Sequence, residues 1–209
     1  MLYNKPTRII LIHGVRATKD NMEKMARLAD VFKQAGFEVV VPKYGFVSAL
    51  IVGLFKWIDV RIAETLSAFV GPEDILLGHS NGGTIAYLIT QKLQVDGVVL
   101  INAALESDIL PNAKFIHIYY NSGDNVVWLS KFVPFHPWGD IGKTGYTGPH
   151  DKRVLNVDQS NPPKEWLPKL KGHSDIFEVD HLTPWANYIA TMVNAYVQVL
   201  KENDHGGTL

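Results

Sequence analysis

A serine hydroxyl becomes a useful nucleophile when the chain lifts it clear of its neighbours, and the run Gly78, His79, Ser80, Asn81, Gly82, Gly83 is built for that. An apolar stretch, Ile75 to Leu77, leads into this run, and a helix-like stretch from Asn81 to Leu93 leads out of it. A strand that turns sharply into a helix strains the residue at the apex, and the positions two before and two after must lack a Cβ for the turn to close. Gly78 and Gly82 hold those positions around Ser80. The bland reading is an ordinary serine in a glycine-rich turn, as in loops that cradle phosphate. A hydroxyl is a poor nucleophile at neutral pH, so the sharper reading also needs a base and a group to orient it. His173, in the loop Gly172 to Phe177, and His181, beside Asp180, are the candidate bases. Asp124, in the turn Asn121 to Asn125, competes with Asp108 and Asp140 for the acid.

With these positions together the chain resembles the α/β-hydrolase superfamily over most of its length. The resemblance rests on Gly78-x-Ser80-x-Gly82 and on Ile12, His13, Gly14 and Val15, which look like the family's turn after its first conserved strand. It implies the chain order Ser, Asp, His, which selects Ser80 as nucleophile, Asp124 as acid and His173 as base. Asp108 is then the acid of a variant the superfamily also uses, and Asp140 lies in an insertion. The resemblance further implies an oxyanion hole made by the backbone N–H groups of Val15 and Asn81, each such donor being worth on the order of 3 kcal/mol in the transition state. In that scheme His173 takes the serine proton and returns it to the leaving group, while Asp124 fixes the imidazole tautomer. The implied activity is a cofactor-free serine hydrolase of esterase or lipase type. Peptidase, amidase or thioesterase chemistry would use the same residues, a non-catalytic binding protein would lack one of the three, and a lyase or perhydrolase is a further use of the fold.

Three segments are expected to shape a substrate site. His13, Gly14 and His79 border the serine, and the excursion between Asp124 and Arg153 contributes Trp128, Phe132 and Trp138 as an aromatic rim. That rim is equally readable as a satellite core of the loop's own aromatics. Phe46 to Trp57 is a second apolar wall. The expected partner is a small-molecule ester with an apolar or aromatic acyl part. About a dozen residues separate Ile101 from Phe115, too few for the cap domain that larger relatives insert there.

Strand-like runs at Arg8 to Ile12, Phe37 to Val41, Ile75 to Leu77, Gly97 to Ile101, Phe115 to Tyr120 and Val154 to Val157 would carry these residues. Each is nearly continuous in Val, Ile, Leu and aromatics, the signature of strands covered on both faces of a parallel sheet. Helical stretches alternate with them. Asp20 with Glu23 reads as a capping box opening a helix to about Ala35 with Gly36 as its stop, Leu50 to Phe69 has helical spacing, and Thr183 with Pro184 reads as the start of a last helix to about Leu200. The fold class expected is α/β, a roughly six-stranded, mostly parallel sheet with helices on both faces. No repeat or linker divides residues 1–209, so one domain is expected, with a frayed polar tail from Glu202.

Composition narrows the function classes. Twenty Lys plus Arg against 21 Asp plus Glu leave a net charge of −1, which provides no basic field to hold nucleic acid. The absence of cysteine excludes disulfides, thiolate metal sites and a cysteine nucleophile. The eight histidines show no H-x-x-x-H or H-E-x-x-H pair, and the first strand is followed by Gly14 alone, so neither a metal nor a nucleotide cofactor is expected. Met1 to Thr7 lacks the apolar core of a signal peptide, and the most apolar window, Phe46 to Phe55, is too short to cross a bilayer, so a cytoplasmic chain is expected.

Overall fold

The computed structural model describes residues 6–14, 19–44, 57–126 and 139–205. Within them, β1 (Arg8–Ile12), α1 (Lys19–Gln34), β2 (Glu38–Val40), α2 (Trp57–Ser67), β3 (Ile75–His79) and α3 (Asn81–Thr90) are followed by β4 (Val95–Ile101) and β5 (Ala113–Tyr120). A short α4 (Ile141–Thr144), β6 (Val154–Asp158), a single 3₁₀ turn (Asp175–Phe177) and the long α5 (Val179–His205) complete the order. The six strands form one sheet in the order β2-β1-β3-β4-β5-β6, and every pairing is parallel. This is the α/β architecture expected from the sequence, with the parallel character complete rather than partial.

Alternation along the strands divides the core in two. Ile9, Leu11, Leu77, Val99 and Ile101 face α1 and α5, where Phe32, Trp185, Ile189 and Val193 cover them. Ile10, Ile12, Leu76, Val98 and Leu100 face the other way, onto Ala63 and Leu66 of α2 and Ile85 and Ile89 of α3. A sheet covered on both faces explains why the strands read as unbroken apolar runs. At the far edge from the site, Arg8 donates from Nε and a terminal nitrogen to the two oxygens of Asp74, at 2.8 and 2.6 Å, and ties the start of β1 to the entry of β3.

Two helix starts depart from the sequence reading. Asp20, read as the residue before the first helix, falls within α1 (Lys19–Gln34). The last begins at Val179, which places Pro184 inside α5 and not at its first turn. The Glu178 carbonyl accepts from the N–H groups of both His181 and Leu182, and this closes a turn before the proline. Burial of Leu182 and Trp185 then rewards continuing the same helix axis across it. The polar tail is also more regular than expected, because α5 runs on to His205.

Register sets where chemistry can occur. Ile12 pairs with Gly78, His79 with Ile101, and Ile101 with Tyr119, so the carboxyl ends of β1, β3, β4 and β5 come level. The residues that follow each strand therefore gather at one edge, where open parallel sheets place their ligands.

Candidate active site

Ser80 follows β3 and sits at φ 54°, ψ −128°, a conformation that costs a non-glycine residue on the order of 1–3 kcal/mol. Backbone contacts hold it there. Its N–H donates to the Ile101 carbonyl at 3.1 Å, and its carbonyl accepts from Gly83 and Ala104, both at 3.0 Å. The glycines around it are steric necessities. A Cβ on Gly78 would stand 2.5 Å from the Gly82 carbonyl oxygen, and one on Gly82 would overlap the Ile12 carbonyl. Gly83 has the same standing, since its Cβ would stand 2.5 Å from that of Ala103.

The turn after β1 closes over the serine. A Cβ on Gly14 would lie 2.9 Å from the Ser80 Cβ and 3.4 Å from its Oγ, so only glycine leaves the hydroxyl in place. His13 donates from Nδ1 to the Gly14 carbonyl at 2.7 Å, and its ring stacks on Tyr44 at 4.0 Å between centroids. Tyr44 in turn donates its hydroxyl to the His13 carbonyl. Burial pushes the His13 pKa below the ordinary histidine value.

Asp124 and His173 meet across the same edge. His173 donates from Nδ1 to Asp124 Oδ2 at 2.6 Å, which leaves Nε2 as the ring atom able to take a proton. Asp124 is wholly buried, and its Oδ1 accepts from the Val126 N–H at 2.9 Å. The loop carrying His173 hangs from side-chain N–H groups. Asn102 donates to the His173 carbonyl at 2.7 Å, His79 donates from Nε2 to that carbonyl at 3.3 Å, and Asn121 donates to the Gly172 carbonyl at 3.3 Å. Asp175 draws the loop tight from the other side by accepting from the N–H groups of Lys171 and Gly172.

Ser80 and His173 line one cavity of about 340 Å³, bordered also by His13, Gly14, His79, Lys24, Met25 and Phe177. His79 is a neutral part of its wall. Burial, and then the neighbouring His173, push its pKa down to about 3, and its ring meets the edge of Phe177 at 4.7 Å. The first residue of α3, Asn81, donates from Nδ2 to Asp59 Oδ1 at 2.8 Å. Asp59 is 2% exposed, and burial outweighs the Asn81 bond to push its pKa up to about 6.

Ser80, Asp124, His173, Asn81, His13, Gly14 and His79 thus share one edge of the sheet. Val15, Trp128, Phe132 and Trp138 lie outside the described residues, as does the Phe46 wall apart from Trp57, which is exposed. The rival base His181 lies in α5 with its Nδ1 donating to the Asp175 carbonyl. Asp108 is exposed after β4, and the Asp140 carbonyl accepts the first N–H bonds of α4, while Asp124 is the carboxylate on His173. Among the described residues, no three His, Asp or Glu side chains cluster to hold a metal ion.

Sequence reasoning missed Asn102, Asn121, Asp59 and Tyr44. A signal existed for the two asparagines, each of which directly follows an apolar strand, and Asn102 adopts φ 44°, a region asparagine tolerates better than most residues. Asp59 carried no such mark, because an acid inside the helical spacing of Leu50 to Phe69 reads as part of a solvated helix face.

No family model matches the sequence, and no curated protein aligns with it. Solved structures do share its fold. Esterase B from Lactobacillus rhamnosis, in complex with a tributyrin phosphonate, superposes with TM-score 0.56 at 14% identity, over 96% of this chain and 78% of its own. The esterase domain of a Rhodothermus marinus protein gives TM-score 0.52 at 14% identity, over 93% and 88%. An α/β-hydrolase enzyme from a lagoon-sediment metagenome at Mar Chica gives 0.50 at 17% identity, over 96% and 93%. At these identities the likeness is one of fold, and the chain has the α/β-hydrolase fold.

Proposed function

We propose that this α/β-hydrolase-fold chain is a single-domain serine hydrolase that cleaves carboxylic esters through an acyl-enzyme on Ser80. The observation that carries the proposal is the 2.6 Å bond from His173 Nδ1 to the buried Asp124, on the rim of the cavity that also holds the strained Ser80. Nε2 of His173 takes the Ser80 proton as Oγ attacks the ester carbonyl, and the Asp124 carboxylate stabilises the resulting imidazolium. The negative oxygen of the tetrahedral intermediate is received by the Asn81 and Val15 N–H groups. The first N–H groups of a helix have no intrahelical acceptor and stand at its positive end, which suits them to this task. Collapse of the intermediate returns the proton from Nε2 to the departing alcohol, and water then repeats the sequence to release the acid.

The cavity volume of about 340 Å³ is at the small end for ligand sites, and Met25 and Phe177 give it apolar walls. Both features favour an ester with a short apolar acyl part over a long-chain lipid. That two of the solved neighbours are esterases supports the choice of ester as the first substrate class to test.

The deciding experiment is labelling with a fluorophosphonate, read by intact mass and by mapping the modified peptide, beside turnover of short-chain p-nitrophenyl esters. One adduct on Ser80, lost in Ser80→Ala together with on the order of 10⁶-fold of kcat, is the expected result. Equal turnover by Ser80→Ala at an unchanged melting temperature overturns the proposal.

A further inference from the structure

Two residues between β2 and β3, Tyr44 and Asp59, bond to the segments that follow β1 and β3 on either side of Ser80. From one side Tyr44 donates its hydroxyl to the His13 carbonyl and stacks on the His13 ring, which fixes the turn after β1. From the other, Asp59 accepts from the Asn81 side chain at 2.8 Å and fixes the first residue of α3. These two backbone segments carry the N–H groups that ester cleavage would aim at a developing oxyanion.

Asp59 is a costly residue for packing alone. It is 2% exposed, and among the described residues its Oδ2 has no hydrogen-bond partner. A half-satisfied carboxyl in an apolar setting destabilises a fold relative to a leucine of similar bulk. Its place in the first turn of α2 suggests a cap for that helix. The bonding denies it, since Oδ1 accepts from Asn81 and Oδ2 has no partner among the described residues. Among the described residues, the hydrogen-bond partner of Asp59 is Asn81, the residue after the serine.

We infer that Asp59 is a positioning residue for the oxyanion site, holding through Asn81 the first backbone N–H of α3 in the orientation that meets a tetrahedral intermediate. The peptide plane between Ser80 and Asn81 is then restrained at both ends. The Ser80 carbonyl is pinned by Gly83 and Ala104, and the Asn81 side chain is pinned by Asp59. Rotation of that plane by the thermal motion of an unanchored helix start would misdirect the N–H without touching the triad. The inference rests on the serine-hydrolase reading above.

The test compares wild type, Asp59→Ala, Asp59→Asn and Asn81→Ala. Three readouts are taken: kcat and KM on a p-nitrophenyl ester, inhibition by a trifluoromethyl ketone, and the rate of fluorophosphonate labelling. The ketone mimics the intermediate, because Ser80 Oγ bonds its carbonyl carbon, the hydroxyl proton passes to His173 and the carbonyl oxygen becomes the anion. Removing an oxyanion donor outright costs about 10²–10³ in kcat, so misdirecting one in Asp59→Ala is expected to cost about 10- to 100-fold, with KM within about twofold. The ketone inhibition constant should rise by the same factor. Asn81→Ala, which cuts the link from its other end, should match it and gives the answer if Asp59→Ala does not fold. Asp59→Asn keeps an oxygen to accept from Asn81 and should recover most of the rate. Loss of stability in Asp59→Ala with kcat and ketone affinity intact overturns the inference and leaves the hydrolase reading standing. A wild-type protein that takes no label at Ser80 overturns both.

Discussion

The two sides of the cleft are held by different kinds of contact. On the serine side the restraint is backbone against backbone, with Gly78 and Gly82 packed where a single Cβ would strike a carbonyl group and with the Ser80 peptide bonded to Ile101, Gly83 and Ala104. On the acid–base side the His173 loop hangs from Asn102, His79 and Asn121, side chains that reach out from the ends of three strands. Steric restraint fails all at once. Hydrogen-bonded restraint fails by degrees, each hook being worth about 1 kcal/mol net. The serine side should therefore break through loss of the fold, and the acid–base side through loss of rate.

Among substitutions that leave Ser80 in place, Asp124→Asn gives the largest expected effect and falls on the acid–base side. The amide presents the wrong tautomer partner to His173 Nδ1, and kcat should fall by on the order of 10⁴ with the melting temperature kept. Steady-state kinetics on Asp124→Asn beside Asp108→Asn checks it, and a crippled Asp108→Asn with an active Asp124→Asn would reassign the acid. Gly82→Ala is the counterpart on the serine side. Its Cβ meets the Ile12 carbonyl, backbone against backbone with no side chain to swing away, so the loss should reach at least about 3 kcal/mol in urea unfolding. Wild-type stability in that variant would show that the turn can relax, and the contrast between the two sides would disappear.

Acid sharpens the comparison because β3, which leads into Ser80, and β5, which leads to Asp124, each carry a histidine that resists protonation. Burial holds His117 of β5 down to about 4 and His79 of β3 down to about 3. Above the ordinary histidine value of about 6.5 both folded and unfolded chains leave these rings neutral, so they impose no pH dependence there. Below it the unfolded chain takes up protons that the folded one refuses, and stability falls as pH drops from about 6.5 toward 4. For His117 alone this amounts to about 3 kcal/mol, as an order of magnitude. Unfolding in urea at pH 7, 5.5 and 4 should show His117→Phe losing stability less steeply than wild type; parallel slopes would count against a neutral His117. The smallest effect is expected for Asn102→Ala, which removes one hook from the His173 carbonyl and should cost about tenfold in kcat, or about 1.4 kcal/mol. Identical rates for that variant and wild type would mean that the loop is held without it.

The same contrast explains what could be read from the sequence. All six strands were legible, because a sheet buried on both faces leaves unbroken apolar runs, and the Ser80 turn was legible because steric necessity writes itself as glycine at fixed spacing. Hydrogen-bonded hooks leave no such spacing. Asn102 and Asn121 lie far in sequence from the loop they hold, and Asp59 is 22 residues from Asn81, so their partners become visible only once the sheet has brought them together. Helix starts failed for a related reason. The rule that proline opens a helix is local, and at Pro184 it lost to the burial of Leu182 and Trp185 on a common axis.

On the proposed function, the order of the strands also decides when the protein could react during its own synthesis. Everything that shapes Ser80, from β1 through Ala104, is translated before β5, whereas Asp124 and His173 come after it. A nascent chain that has emerged only as far as β4 contains Ser80 yet lacks both residues that the proposed mechanism uses to activate its hydroxyl. Vectorial synthesis would thus leave the serine unactivated until the loop carrying His173, which follows β6, leaves the ribosome.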